Sequence, residues 1–186
     1  MKATKSIGGS LYLIALSLIA VIGIYGYFGS VEDRGELETI AEIEKLGGSV
    51  DFDERSPDTP AVAVNFSRTS DTDAGLVPLK GLPELRTVNL SSTQVTDAGL
   101  IHLKGLRELI SLGLADTQVT DAGLVHLKGL LELRMLSLSN TRVTDAGLTH
   151  LEGLTNLDYV HLAGTRVTDD GVEHLNKALP DCKFFR

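Results

Sequence analysis

A 24-residue period governs this chain from residue 72 to its last residue. The segment TDAGLVPLKGLPELRTVNLSSTQV opens at Thr72 and returns from Thr96, Thr120 and Thr144, with a partial copy from Thr168. A fixed period of this size means stacked units, each unable to bury its apolar face alone and each completed by its neighbours. Such an array displays a surface and rarely builds a reaction site.

Spacing inside the unit separates strand from helix. Leu85, Val88 and Leu90 stand apolar, two polar, apolar, one polar, apolar. The last two share one face of an extended strand, because side chains alternate there. Leu109, Leu112 and Leu114 repeat the pattern, as do Leu133, Leu136 and Leu138, then Leu157, Val160 and Leu162. Leu100, Leu103 and Leu106 lie three apart, which places them on one stripe of a short helix. One strand and one helix per unit predict an α/β solenoid.

These residues resemble the leucine-rich repeat family, in the short form whose unit reads LxxLxLxxT/CxVTDxGLxxLxxL. The unit looks like the cysteine-containing class with threonine in the cysteine slot, a form common in bacterial surface and secreted proteins. The resemblance implies a parallel β-sheet on the concave face, short helices on the convex face, and protein binding rather than catalysis.

The recurring polar residues have readings within the fold. Thr69, Thr93, Thr117, Thr141 and Thr165 follow the strand where the chain turns, and a hydroxyl there can bond backbone groups left unpaired by the ladder. Thr96, Thr120, Thr144 and Thr168 precede the helical run as N-caps, and Asp97, Asp121, Asp145 and Asp169 suit the positive end of the helix dipole. Gly99, Gly123, Gly147 and Gly171 allow close packing between layers. His102, His126, His150 and His174 recur once per unit and suggest a metal row at first sight. Zinc, however, needs three or four ligands at about 2.0–2.3 Å from one point, whereas successive helices hold equivalent side chains roughly 8–10 Å apart. Burial beside the leucine stripe is the better reading, and no metal or cofactor is expected.

Both ends of the array depart from the pattern, as terminal units do. Ala61, Val64 and Phe66 take the strand positions of a degenerate first unit, while Asp71 replaces the later valines. Before it, Leu37, Ile40, Ile43 and Leu46 have helical spacing, Gly47 and Gly48 end that helix, and Val50 and Phe52 alternate as a short strand. This reads as a cap over the first edge. At the other end one inserted residue places Leu179, Cys182 and Phe185 where Leu154, Leu157 and Val160 stand. The lone Cys182 then fills a core position, with no partner for an internal disulfide. The last strand leaves an edge that a second copy could cover.

The first thirty residues differ in kind. Ile7–Phe28 carries no charge, and 22 helical residues rise about 33 Å, enough for a hydrocarbon core of roughly 30 Å. Lys2 and Lys5 precede the run while Glu32, Asp33 and Glu36 follow it. This predicts a single-pass inner-membrane anchor with a cytoplasmic N-terminus and the repeats in the periplasm or outside the cell. The alternative is a signal peptide cut after small residues such as Val21 and Gly23, releasing a secreted protein; the length of the apolar run favours the anchor. The expected organisation is 1–30 cytoplasmic stub and anchor, 31–60 acidic linker and cap, and 61–186 repeats with a C-terminal cap.

The net charge of −8 has no basic nucleic-acid footprint within it; residues 31–60 hold ten acidic side chains and three basic ones. No glycine-rich phosphate loop and no nonrepeating Ser, His and Asp set is present, so an enzyme is not expected. The leading expectation is a module that binds a protein or peptide. The alternatives are envelope assembly through self-association at the C-terminal edge and, remotely, an enzyme or metal protein. Outward strand positions form two columns, Ala63, Thr87, Ser111, Met135, Tyr159, Phe184 and Asn65, Asn89, Gly113, Ser137, His161, Arg186. The candidate binding patch is their last part: Met135, Tyr159, His161, Phe184 and Arg186.

Overall fold

A computed structural model of the protein describes residues 31–56, 60–70 and 73–186. The span expected over residues 7–28 lies outside these, as does Asp71. Among the described residues no helix is long and apolar enough to cross a membrane.

The chain enters through helix α1 (Val31–Lys45), whose Ile40 and Ile43 are buried in the core. Gly47, at φ +86°, ends it: the Gly48 N–H donates to Ile43 O and the Gly47 N–H to Glu44 O, each at 3.0 Å. These are the two bonds of a Schellman turn, which needs a left-handed residue where Gly47 stands. Leu46 falls in that turn and is exposed, so it does not extend the apolar stripe predicted for it.

Among the described residues seven strands form one sheet in chain order. They are β1 (Ser49–Phe52), β2 (Ala61–Asn65), β3 (Thr87–Asn89), β4 (Ser111–Gly113), β5 (Met135–Ser137), β6 (Tyr159–His161) and β7 (Lys183–Phe185). From β2 onward every pairing is parallel. The cap strand β1 pairs antiparallel with β2, so the sheet is parallel except at this edge. The residues paired along the middle of the repeat ladder point inward: Val64, Val88, Leu112, Leu136 and Val160 are at most 1% exposed.

The opposite side of the layers is built mostly of short helical turns, several of them the tighter 3-10 form. Asp73–Gly81 and Gly99–Leu103 are 3-10 helices; α2 (Asp121–Leu124) and α3 (Asp145–Leu148) are single turns. The leucine triplets explain this. Residues three apart eclipse one another at three residues per turn, and Leu76, Leu79 and Leu82, like Leu100, Leu103 and Leu106, are all buried. Only α4 (Asp169–Ala178) runs longer.

Polar bonds fasten the layers to one another. The Asp73 carboxylate accepts the Thr96 N–H at 2.7 Å and the Thr96 hydroxyl at 2.6 Å. Asp97 holds Thr120 in the same way, Asp121 holds Thr144, and Asp145 holds Thr168. The threonines also cap as predicted, Thr120 accepting from the Ala122 N–H and Thr168 from the Gly171 N–H. The aspartates therefore clasp the next unit in addition to any dipole effect. Their oxygens fill the space beside the repeat glycines: a Cβ on Gly123 would lie 2.4 Å from Asp97 Oδ1. After each strand, Thr93, Thr117, Thr141 and Thr165 donate their hydroxyls to Leu90, Leu114, Leu138 and Leu162 O at 2.6–2.7 Å.

Truncating a central core residue, Leu136→Ala, should cost about 2–5 kcal/mol, while exposed Lys104→Ala should stay within about 0.5 kcal/mol; urea denaturation of both variants checks this. The clasp is also pH-dependent. The Thr168 hydroxyl, then the Thr168 N–H, holds the Asp145 carboxyl below its ordinary range. A group depressed by folding adds stability that is present above its ordinary value of about 4 and lost as pH falls through the folded value. Asp145→Asn should therefore lose about 1 kcal/mol at neutral pH, a figure kept small by exposure, and show a shallower loss of stability in acid.

Candidate functional site

The outward face of the sheet changes character along the stack. At its N-terminal end, Asn65 and Asn89 are engaged locally: their Oδ1 atoms accept the N–H groups of Ser67 at 2.9 Å and Ser91 at 3.1 Å. These short turns hold the chain as it leaves the strand, and the other outward positions of β2–β4 carry small side chains, Ala63, Thr87 and Ser111, or none, at Gly113. From β5 onward large groups take over.

The register of the last layer differs from the expectation. Leu179 and Cys182 do occupy the places of Leu154 and Leu157, for both layers are buried there and the Cys182 N–H donates to Leu179 O as the Leu157 N–H does to Leu154 O. The extra residue is then removed before the strand, since Cys182 precedes the inward position of β7 by two residues where Leu157 precedes Val160 by three. Lys183 thus pairs with Tyr159, Phe184 with Val160 and Phe185 with His161. Phe184 turns inward and packs against the core, so it does not belong to the outward patch. Arg186 lies beyond β7 and its guanidinium pairs with Asp169. The columns end instead in Lys183 and Phe185. An undisturbed count of 24 from Tyr159 and His161 points to both; the apolar Cys182, one residue late, pulls the reading away.

The structure brings Met135, Tyr159, His161, Lys183 and Phe185 together. The His161 and Phe185 rings stack at 4.8 Å with 14° between planes, and Tyr159 and Phe185 lie 6.3 Å apart at 23°. Lys183 Nζ sits 5.6 Å from the centre of the Tyr159 ring, within cation–π range. Met135, Tyr159 and Phe185 remain 46%, 38% and 44% exposed. Large apolar side chains this open, set on a rigid sheet, are a surface that gains free energy when covered. Arg134 flanks the shelf and pairs with Asp158 at 3.4 Å.

The helical side offers less chemistry. Burial, with Lys80 nearby, lowers the His102 pKa, and its Nδ1 is buried without a hydrogen-bond partner. His174 Nε2 lies 3.3 Å from Glu152 Oε1. Among the described residues no group of three or more His, Cys, Asp or Glu is placed to hold a metal ion. Burial pushes the Cys182 thiol up to about 11, with Asp158 adding to the shift, which keeps it protonated and unreactive at neutral pH.

A leucine-rich repeat profile matches residues 82–104. The fold is similar to that of an internalin from Listeria monocytogenes, with a TM-score of 0.51 and 25% identity over 59% of this chain and 30% of that one. It is also similar to the ectodomain of the receptor kinase SOBIR1 from Arabidopsis thaliana, with a TM-score of 0.57 and 18% identity over 82% and 91% of the two chains. A third similar structure is the ectodomain of the Arabidopsis receptor kinase HAESA, solved with an extended IDA peptide hormone, at TM-score 0.52 and 18% identity over 76% and 28%. The chain thus spans under a third of the length of the internalin. No curated protein matches it in sequence. The leucine-rich repeat match is to residues 82–104, and the fold of the array is that of a leucine-rich repeat solenoid.

Proposed function

We propose that this chain is a membrane-anchored, non-enzymatic leucine-rich repeat module that binds a protein or peptide on the outward face of its sheet. The repeat is of the cysteine-containing type with threonine in the cysteine slot, as found in bacterial envelope proteins. The observation that carries the reading is the shelf of Met135, Tyr159, His161 and Phe185 with Lys183 at its rim. Aromatic rings on a rigid support, beside a cation, are the groups from which binding hot spots are built. The small side chains of β2–β4 leave room for an extended ligand to continue along the face. The HAESA ectodomain, alike in fold, carries a peptide, and this suggests the class of probe. The anchor reading rests on the uncharged run Ile7–Phe28 with Lys2 and Lys5 before it, which directs the repeats outward from the cytoplasm.

Selection from a random peptide display library tests the binding reading. Enriched peptides should bind the full chain and lose roughly tenfold or more in affinity, about 1.4 kcal/mol, with Tyr159→Ala or Phe185→Ala. Thr87→Ala should leave binding nearly unchanged. Affinity that survives both aromatic substitutions and disappears with Thr87→Ala would move the site to the opposite end of the sheet.

A further inference from the structure

The two ends of the sheet match each other. Among the described residues no strand pairs with the outer edge of β1 or of β7, and such an edge is a template for another strand. The inward column runs Val50, Val64, Val88, Leu112, Leu136, Val160, Phe184. Its five middle members are almost fully buried, while Val50 and Phe184 are only partly so. Among the described residues the core column is therefore left incomplete at both ends. The neighbouring outward column begins with Asp51 and ends with Lys183. Opposite charges thus stand at the two ends of one register line.

We propose that β1 of one copy adds antiparallel to β7 of another, head to tail, with Ser49 beside Phe185, Val50 beside Phe184 and Asp51 beside Lys183. A second copy fits this edge for three reasons. Its Val50 continues the core column that Phe184 leaves open. The inward and outward alternation of both strands agrees in this register, and a one-residue slip would turn every side chain to the wrong face. Asp51 and Lys183 meet as a cross-strand pair of opposite charge. The bulge between Asp51 and Phe52 limits the pairing to these three positions. Both ends also carry exposed carboxylates on the helical side, Glu38 and Glu42 on α1 and Asp170 and Glu173 on α4, so the contact is weak and concentration-dependent. Because its two surfaces differ, the contact is heterologous and adds copies in a line. Lys183 and Phe185 belong both to this edge and to the aromatic shelf, so the test reads association of the chain with itself, without any shelf ligand present.

Sedimentation velocity of the full chain in mild detergent, over a wide range of concentration, tests the pairing by charge exchange. The wild type should grow in mass with concentration. Asp51→Lys and Lys183→Asp should each weaken association roughly tenfold, since each sets like charges opposite one another. An equimolar mixture of the two variants should restore it, as should the double variant, while circular dichroism shows each variant folded as the wild type is. Lys183→Gln gives a milder second reading, with an intermediate loss. A wild type that stays monomeric throughout, or association that ignores the charge reversals, would overturn the proposal.

Discussion

The bond between an aspartate carboxylate and the threonine of the following unit sets the geometry on which this solenoid depends. Leucine burial drives the layers together, but it is non-directional and would tolerate sliding. The carboxylate accepts both an N–H and a hydroxyl from one residue, which fixes how far one layer lies from the next and how it is turned. Charge-assisted bonds of this kind are short and directional. Gly99, Gly123, Gly147 and Gly171 follow from the same arrangement, because the clasping carboxylate of the preceding unit fills the space a side chain there would need.

With spacing fixed by the clasp, the sheet becomes a rigid face whose columns repeat at every layer. What varies from layer to layer is then free to serve recognition. In β2–β4 the outward residues are small or turned to their own backbone, as with Asn65 and Asn89. In β5–β7 they are Met135, Ser137, Tyr159, His161, Lys183 and Phe185, all but one of them large. The core beneath hardly changes, since Leu112, Leu136 and Val160 remain fully covered. The surface thus changes without altering its support, an economy that repeat architecture permits.

Much of this was legible from spacing. The inward residues Val88, Leu112 and Leu136 follow from alternation, and the leucine triplets follow from a three-residue period, although that period indicates a 3-10 turn more than an α-helix. The clasp was not legible, because Asp97 and Thr120 stand 23 residues apart and touch only when two layers are stacked. The left-handed turn residues were also hidden. Arg68, Ser92, Asp116 and Asn140 all have positive φ, yet arginine and serine carry no such signal, and it shows only in Asp116, Asn140 and the equivalent Gly164. At the C-terminal end the two-residue step from Cys182 to Phe184 misled the count. A longer α4 displaces Leu179 and Cys182, and the strand then returns to its place because the ladder fixes it to β6. Backbone pairing outweighed side-chain spacing, and the patch gained Lys183 and Phe185 in place of Phe184 and Arg186.

The most direct measurement of the central claim is native-state hydrogen exchange, followed residue by residue by NMR. The Thr96, Thr120, Thr144 and Thr168 amides lie in turns that the strand ladder does not reach, so their protection reports the carboxylate bond. The account predicts that Thr120 and Thr144 exchange as slowly as the strand amides of Leu112 and Leu136, opening only when whole layers separate. Exchange of these threonine amides at the rate of exposed loops, while the strands stay protected, would show that leucine packing alone holds the layers and would contradict it.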